Sequence, residues 1–158
     1  SRIAVGFDTL LHYYDSSHIQ DKAFTSALIE QLELDNSKSS PYVVKCSSHL
    51  MNQLSSNQVI EGITATNVGF YAPQGRVLRL ALSDVKFMSK LKDFRYDNIQ
   101  ITNLEMETAG IYGMAHLLGH HALSMNAILA NRATGTFSLQ PQKTVANLIT
   151  YTLEKLTS

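Results

Sequence analysis

Three polar clusters stand where extended apolar runs end, and each carries groups that a plain surface loop does not need. In GFYAPQGRVLRL, residues 69–80, Gln74 and Arg76 flank Gly75 and follow the aromatic Phe70. In an extended segment two side chains so spaced point the same way. An amide that donates and accepts, a guanidinium and a ring to stack on together suit a flat heterocycle with carbonyl and N–H edges. A solvated turn whose Gln and Arg meet only water is the competing reading of that stretch alone. In ITNLEMETAG, residues 101–110, Glu105 and Glu107 fall in the first turn of an expected helix. There the helix dipole favours negative charge by roughly 0.3–1 kcal/mol, which would account for the acids without any function. The helix that follows reads as buried, however, and a buried carboxylate needs strong donors. Vicinal sugar hydroxyls supply them, since one ionised carboxylate accepts from both. In ANRATGTFS, residues 130–138, Asn131 and Arg132 end an apolar run abruptly. This sets an arginine near the edge of a sheet, for a ligand or for a surface ion pair.

Other reactive side chains form no comparable pattern. The six histidines show no HExxH or similar ligand spacing, so no metal site is expected. Cys46, Ser47 and Ser48 lack a nucleophile-elbow motif, and the glycines match neither the GxGxxG nor the GxxxxGK[ST] pattern. Met106, Met114 and Met125 read as core residues. His120 and His121 read as a loop-to-strand junction.

The elements that must position these clusters alternate between extended and helical patterns, as in an α/β layered domain. Strands are expected over 3–7, 42–46, 62–71, 100–104 and 122–130, the last nearly all apolar, as a strand buried on both faces should be. Helices are marked by the stripe Phe24, Ala27, Leu28 and Leu32, and by Phe87, Met88, Leu91 and Phe94 with Ser83 and Asp84 as caps. Residues 106–118 read as a helix packed on most faces and stopped by Gly119. A last helix starts near Pro141 with the stripe Val145, Leu148, Ile149, Thr152 and Leu156, and a short one lies near 47–55. The polar run 35–41 reads as a surface loop too short to link domains.

At 158 residues, 44% hydrophobic and 16% charged, the chain is long enough for one domain with its own core. Thirteen basic and thirteen acidic residues leave no net charge, hence no long-range field directed at nucleic acid or an anionic membrane. The single cysteine, Cys46, fits a reducing compartment and reads as a small buried hydrophobe. Apolar stretches are broken before roughly 18 residues, so no membrane-spanning helix is expected, and no signal peptide is visible. The abrupt start at Ser1, with a strand following at once, sets the expectation that the natural chain begins earlier.

Taken together, GFYAPQGR, NLEMETAG and ILANR, in that order and spacing, resemble the nucleoside phosphorylase family, and most closely its uridine phosphorylase branch. The resemblance implies a three-layer α/β/α sandwich with a central mixed sheet, of the phosphorylase/hydrolase-like kind, with residues 1–158 forming the C-terminal part of a single domain. It implies that Phe70 packs against the nucleoside while Gln74 and Arg76 read the uracil edge. Met106 would line the ribose and Glu107 hold its hydroxyls, with Glu105 supporting the same pocket. Arg132 stands where purine-selective relatives carry an aspartate, which implies a pyrimidine. The implied reaction is phosphorolysis of uridine in pyrimidine salvage, with Gln74, Arg76 and Glu107 as catalytic residues, phosphate as co-substrate and no cofactor. The family's phosphate-binding segments lie before the point where this chain begins, so the piece alone is expected to be inactive and to need the N-terminal part of the domain. The resemblance also implies a cytoplasmic homo-oligomer, dimer or hexamer, with no nucleic-acid or membrane partner. A related phosphorylase or hydrolytic nucleosidase with another base preference, and a non-catalytic nucleoside-binding fragment, stand as alternatives.

Overall fold

A computed structural model describes residues 1–35 and 40–157. Most of the expected loop 35–41 therefore lies outside the described residues. Five strands form one sheet: β1 (Ile3–Gly6), β2 (Tyr42–Lys45), β3 (Ile63–Thr66), β4 (Arg95–Tyr96) and β5 (Ile99–Glu105), in the order β2-β1-β3-β5-β4. The centre is parallel, β1 with β3 and β3 with β5, and both edges are antiparallel, which makes the sheet mixed.

Side chains of a strand alternate between faces, and the core divides accordingly. Ile3 and Val5 join Phe24, Leu28 and Leu32 of α1 (Lys22–Leu32) and Leu91 of α3 (Phe87–Asp93) on one face. Ala4 and Val44 meet Ala109 and Tyr112 of α4 (Thr108–Leu117) and Leu11 of a short 3-10 turn on the other. Helices thus cover both faces, giving the expected three layers. Cys46 is buried, as its composition-based reading required. The short helix is α2 (Ser48–Leu54), and the last is α5 (Pro141–Thr157).

Local stop and start signals act as the sequence indicated, with two adjustments. Gly119 takes a left-handed φ of 73°, and the N–H groups of Gly119 and His120 return to the carbonyls of His116 and Ala115, closing α4. Helix α3 begins later than Ser83: its cap position is Lys86, whose N–H donates to the Asp84 carboxylate at 2.8 Å. Helix α4 begins at Thr108, so Glu105 belongs to β5 and Glu107 is the residue just before the helix.

Two strand expectations need correction. The run 62–71 is a strand only over β3, because from Val68 onward the chain leaves the sheet and Val68, Phe70 and Tyr71 are all more than half exposed. The apolar run 122–130 is not a buried strand. Residues 122–129 join no ladder and none is buried, and only Ala130–Asn131 (β6) pairs, with Thr136–Phe137 (β7), in a small separate hairpin. Apolar composition makes a segment willing to be buried between two layers, but a strand also needs a neighbour whose N–H and C=O groups face its own. No such neighbour lies beside this run among the described residues. His120 and His121 accordingly enter an irregular segment and not a strand.

Candidate functional site

The loop that follows β3 sets the first cluster. Ala72–Gln74 form one turn of 3-10 helix, and Gly75 leaves it with φ 73°. The N–H groups of Gln74 and Arg76 both donate to the Tyr71 carbonyl, at 3.0 and 2.9 Å. A left-handed residue is what turns the chain back here, and glycine adopts it without steric cost. The expected extended geometry is therefore absent, yet its consequence holds by another route. Arg76 Nη1 donates to Gln74 Oε1 at 3.0 Å and to the Phe70 carbonyl, and its guanidinium carbon sits 3.4 Å from the centre of the Phe70 ring. That is a stacked cation on an aromatic face.

The turn between β6 and β7 brings in Arg132. Asn131 Oδ1 accepts from the Ala133 N–H at 3.0 Å and fixes the turn, with Gly135 at φ 68°. Arg132 then reaches back across 58 positions of chain and grips Gln74 twice: Nη1 donates to its main-chain carbonyl at 2.6 Å and Nη2 to its Oε1 at 2.7 Å. Guanidinium groups only donate, so the Gln74 atom between the two arginines must be the carboxamide oxygen. What remains for a ligand is the Gln74 amino group and the outer N–H groups of the two arginines. Burial, and then the charge of Arg76, make Arg132 less basic than usual. Among the described residues no ion pair engages either guanidinium. Gln74 itself is 4% exposed, and Gln74, Arg76 and Arg132 line one cleft of about 1940 Å³.

The second cluster lies at the end of the neighbouring strand. Glu105 pairs with Thr66 on the last rung between β3 and β5. Its Oε2 accepts from the N–H groups of Glu107 at 2.8 Å and Thr108 at 2.7 Å, and its Oε1 from the Thr66 hydroxyl at 2.6 Å. Glu105 thus caps α4 from two residues before the usual cap position. Glu107 is exposed, with Oε2 accepting from the Met106 N–H at 3.1 Å. Met106 is 41% exposed at the mouth of the helix and not in the core. Phe70, Glu105, Met106 and Glu107 are not among the residues lining the cleft of Gln74. The first and third clusters therefore meet in direct contact, and the second stands at the C-terminal end of the adjacent parallel strand. In open α/β sheets this is the edge where ligands sit.

A nucleoside phosphorylase from Trypanosoma brucei, whose crystal structure is described as showing uridine phosphorylase activity, superposes on 99% of this chain with a TM-score of 0.82 at 21% identity. The fold is that of the nucleoside phosphorylases. One of two uridine phosphorylases from the oomycete Phytophthora capsici matches 99% of the chain with a TM-score of 0.56 at 17% identity. In sequence, 85 residues, 54% of the chain, are 34% identical to a uridine phosphorylase from Thermococcus kodakarensis. No protein-family model matches the chain. The chain spans 56% of the length of each of the two solved structures, and the stretch matched in the Thermococcus protein is 30% of that protein.

Within this phosphorylase fold some polar features had no signal in the sequence. The buried Thr66 hydroxyl, which donates to Glu105 and accepts from the Ala109 N–H at 2.9 Å, sits in an apolar run and reads there only as a β-branched strand residue. Ser47 Oγ lies 2.8 Å from His121 Nδ1 while also accepting from the Leu50 N–H at the start of α2. Among the described residues no group of three or more His, Cys, Asp or Glu side chains is arranged to hold a metal ion.

Proposed function

We propose that this chain is part of a uridine phosphorylase that cleaves uridine with phosphate to uracil and ribose 1-phosphate, in pyrimidine nucleoside salvage. One observation carries the reading: two guanidiniums from separate loops converge on a single buried amide oxygen, with an aromatic ring beneath one of them and, among the described residues, no carboxylate paired with either. Such an arrangement suits a planar ring whose carbonyl oxygens gain negative charge. The likeness to the Thermococcus uridine phosphorylase supports the same base.

In the proposed reaction phosphate attacks C1′ as the bond from C1′ to the base nitrogen breaks, and uracil departs as an anion that then takes a proton from water. Gln74, Arg76 and Arg132 face the ring oxygens and stabilise that charge, in a site where fixed donors cost no reorganisation. Phe70 stacks on the nucleoside, Met106 lines the ribose, and Glu107 accepts from its hydroxyls and so orients C1′ for attack. Glu105 supports that pocket from behind. Phosphate is a co-substrate, and no cofactor or metal enters the scheme.

Residues 1–158 would form the C-terminal part of one domain, with the remaining part as an essential partner. Two facts support this: the structures matched are longer than this chain, and α5 buries none of its residues, its apolar Val145, Ile149 and Leu153 lying 38%, 54% and 58% exposed. A helix striped in this way is stabilised by what covers the stripe. We further propose a cytoplasmic homo-oligomer without nucleic-acid or membrane partners. No helix among the described residues is long and apolar enough to cross a membrane.

The test is release of uracil from uridine by the full-length protein, with and without phosphate. Phosphate-dependent release is expected. Cleavage of inosine with uridine untouched would overturn the choice of base, and undiminished turnover without phosphate would assign a hydrolase.

A further inference from the structure

The helix mouth that presents Met106 and Glu107 is held from behind by a closed set of hydrogen bonds. The first four N–H groups of a helix have no partner within it, and here side chains take three of them, those of Glu107, Thr108 and Ala109. The Glu105 carboxylate takes the first two at 2.8 and 2.7 Å, and Thr66 Oγ1 takes the third at 2.9 Å. Thr66 then donates its own hydroxyl hydrogen to the other Glu105 oxygen at 2.6 Å. Both groups are thereby used. Thr66 is 1% exposed, its single hydrogen is committed and its oxygen is occupied, while both carboxylate oxygens of Glu105 accept from protein donors.

The main chain of Glu105 is tied as well. Its carbonyl accepts from the Asn67 N–H at 2.8 Å, and it faces Thr66 on the final rung of the ladder between β3 and β5. So the two residues between strand and helix, Met106 and Glu107, are suspended from a rigid anchor on one side and a capped helix on the other. Their own side chains are exposed. A carboxylate this fully engaged is poorly placed to accept from ribose hydroxyls, whereas Glu107 is open to them.

We propose that Thr66 and Glu105 are a positioning pair for the proposed reaction: they orient Met106 and Glu107 toward the sugar and do not touch the substrate. This rests on the uridine phosphorylase reading. It predicts a separation between sugar and base, because the Gln74 cluster is built on other loops. Removing the Thr66 hydroxyl should weaken binding of the nucleoside and leave binding of the free base unchanged.

The experiment is calorimetric titration of the full-length protein and its Thr66→Val and Thr66→Ser variants with uridine and with uracil, alongside amide hydrogen exchange at Glu107, Thr108 and Ala109. For Thr66→Val the uridine Kd should rise about tenfold, the scale of one buried hydrogen bond to a charged group, with the uracil Kd unaltered and only those three amides exchanging faster. Thr66→Ser should restore both. Should Thr66→Val fail to fold, Glu105→Gln, which turns one acceptor oxygen into a donor, is read in the same way. Unchanged uridine affinity despite faster exchange at the three amides overturns the proposal. So does an equal loss for uridine and uracil with exchange rising throughout the sheet, which marks a merely structural role. Wild-type protein that binds neither ligand instead sinks the phosphorylase reading itself, and this inference with it.

Discussion

Replacing Arg132 by alanine removes two donors from Gln74 at once, one from its main-chain carbonyl and one from its amide oxygen. Arg76 alone would then hold the amide oxygen, and the cleft would lose one of the two charges proposed to face the base. Uracil affinity is expected to fall about tenfold or more, roughly 1.4 kcal/mol, in a titration of the full-length protein. Because the buried Gln74 loses a charged donor at both oxygens, unfolding free energy should fall as well, by about 1–3 kcal/mol. Arg132→Lys should not rescue binding, since a single ammonium cannot span the two oxygens as a planar fork does. Gly75→Ala tests the same cluster from beneath. A Cβ there would sit 2.3 Å from Met88 Cγ, at a φ of 73° that costs a non-glycine residue about 1–2 kcal/mol. The loop is expected to shift, so uracil binding should be lost to a greater extent than the denaturation midpoint falls.

Among the elements, those whose residues carry their own reason for being buried were legible in the sequence. Helix α1 is such a case: Phe24, Leu28 and Leu32 lie one turn apart and are all fully buried. The pairing of Gln74 with Arg76 was legible too, although by way of a 3-10 turn and a left-handed glycine instead of an extended strand, because both routes bring residues on either side of Gly75 together. The run 122–130 misled because hydrophobicity reports the wish to be buried and says nothing of a pairing partner. Thr66 was invisible for the opposite reason, since a hydroxyl within a strand gives no sign of what it will meet on the adjacent one. Helix α1 also supplies a test at this scale. Its cap is Asp21, whose carboxylate accepts from the Phe24 N–H at 3.0 Å and lies 2.9 Å from Lys45 Nζ. Burial alone would raise the pKa of Asp21, but the bond to Lys45 and those to the helix N–H groups outweigh it, and the net shift is downward from the ordinary 3.8. A depressed folded-state pKa means the carboxylate stabilises the fold fully above the unfolded value and loses that contribution as pH falls through the folded one. Asp21→Ala should therefore cost about 1 kcal/mol near neutral pH. In urea titrations the gap between variant and wild type should close as pH drops below about 3.8.

At the scale of the whole molecule, cohesion is unevenly distributed. Strands β1, β2 and β3 are packed on both faces, whereas α5 has no buried residue and touches the rest chiefly through α2. Two polar pins hold it: Tyr151 donates its hydroxyl to the Leu54 carbonyl at 2.8 Å and lies 2.9 Å from Ser56 Oγ, and Gln53 donates to the Lys155 carbonyl at 3.1 Å. A region with few buried apolar contacts opens at a small fraction of the global unfolding free energy. In the 158-residue chain, amides of α5 should therefore exchange orders of magnitude faster than those of β1 and β3, and Tyr151→Phe should speed α5 further while leaving the sheet amides as they were. In the longer domain proposed above the same amides should be slow, because the stripe of Val145, Ile149 and Leu153 would be covered by its remainder and the helix would join the cooperative core. Equal protection of α5 and the sheet in the 158-residue chain would mean that the helix is stable without a cover. The case for an essential partner segment would then lose its structural support.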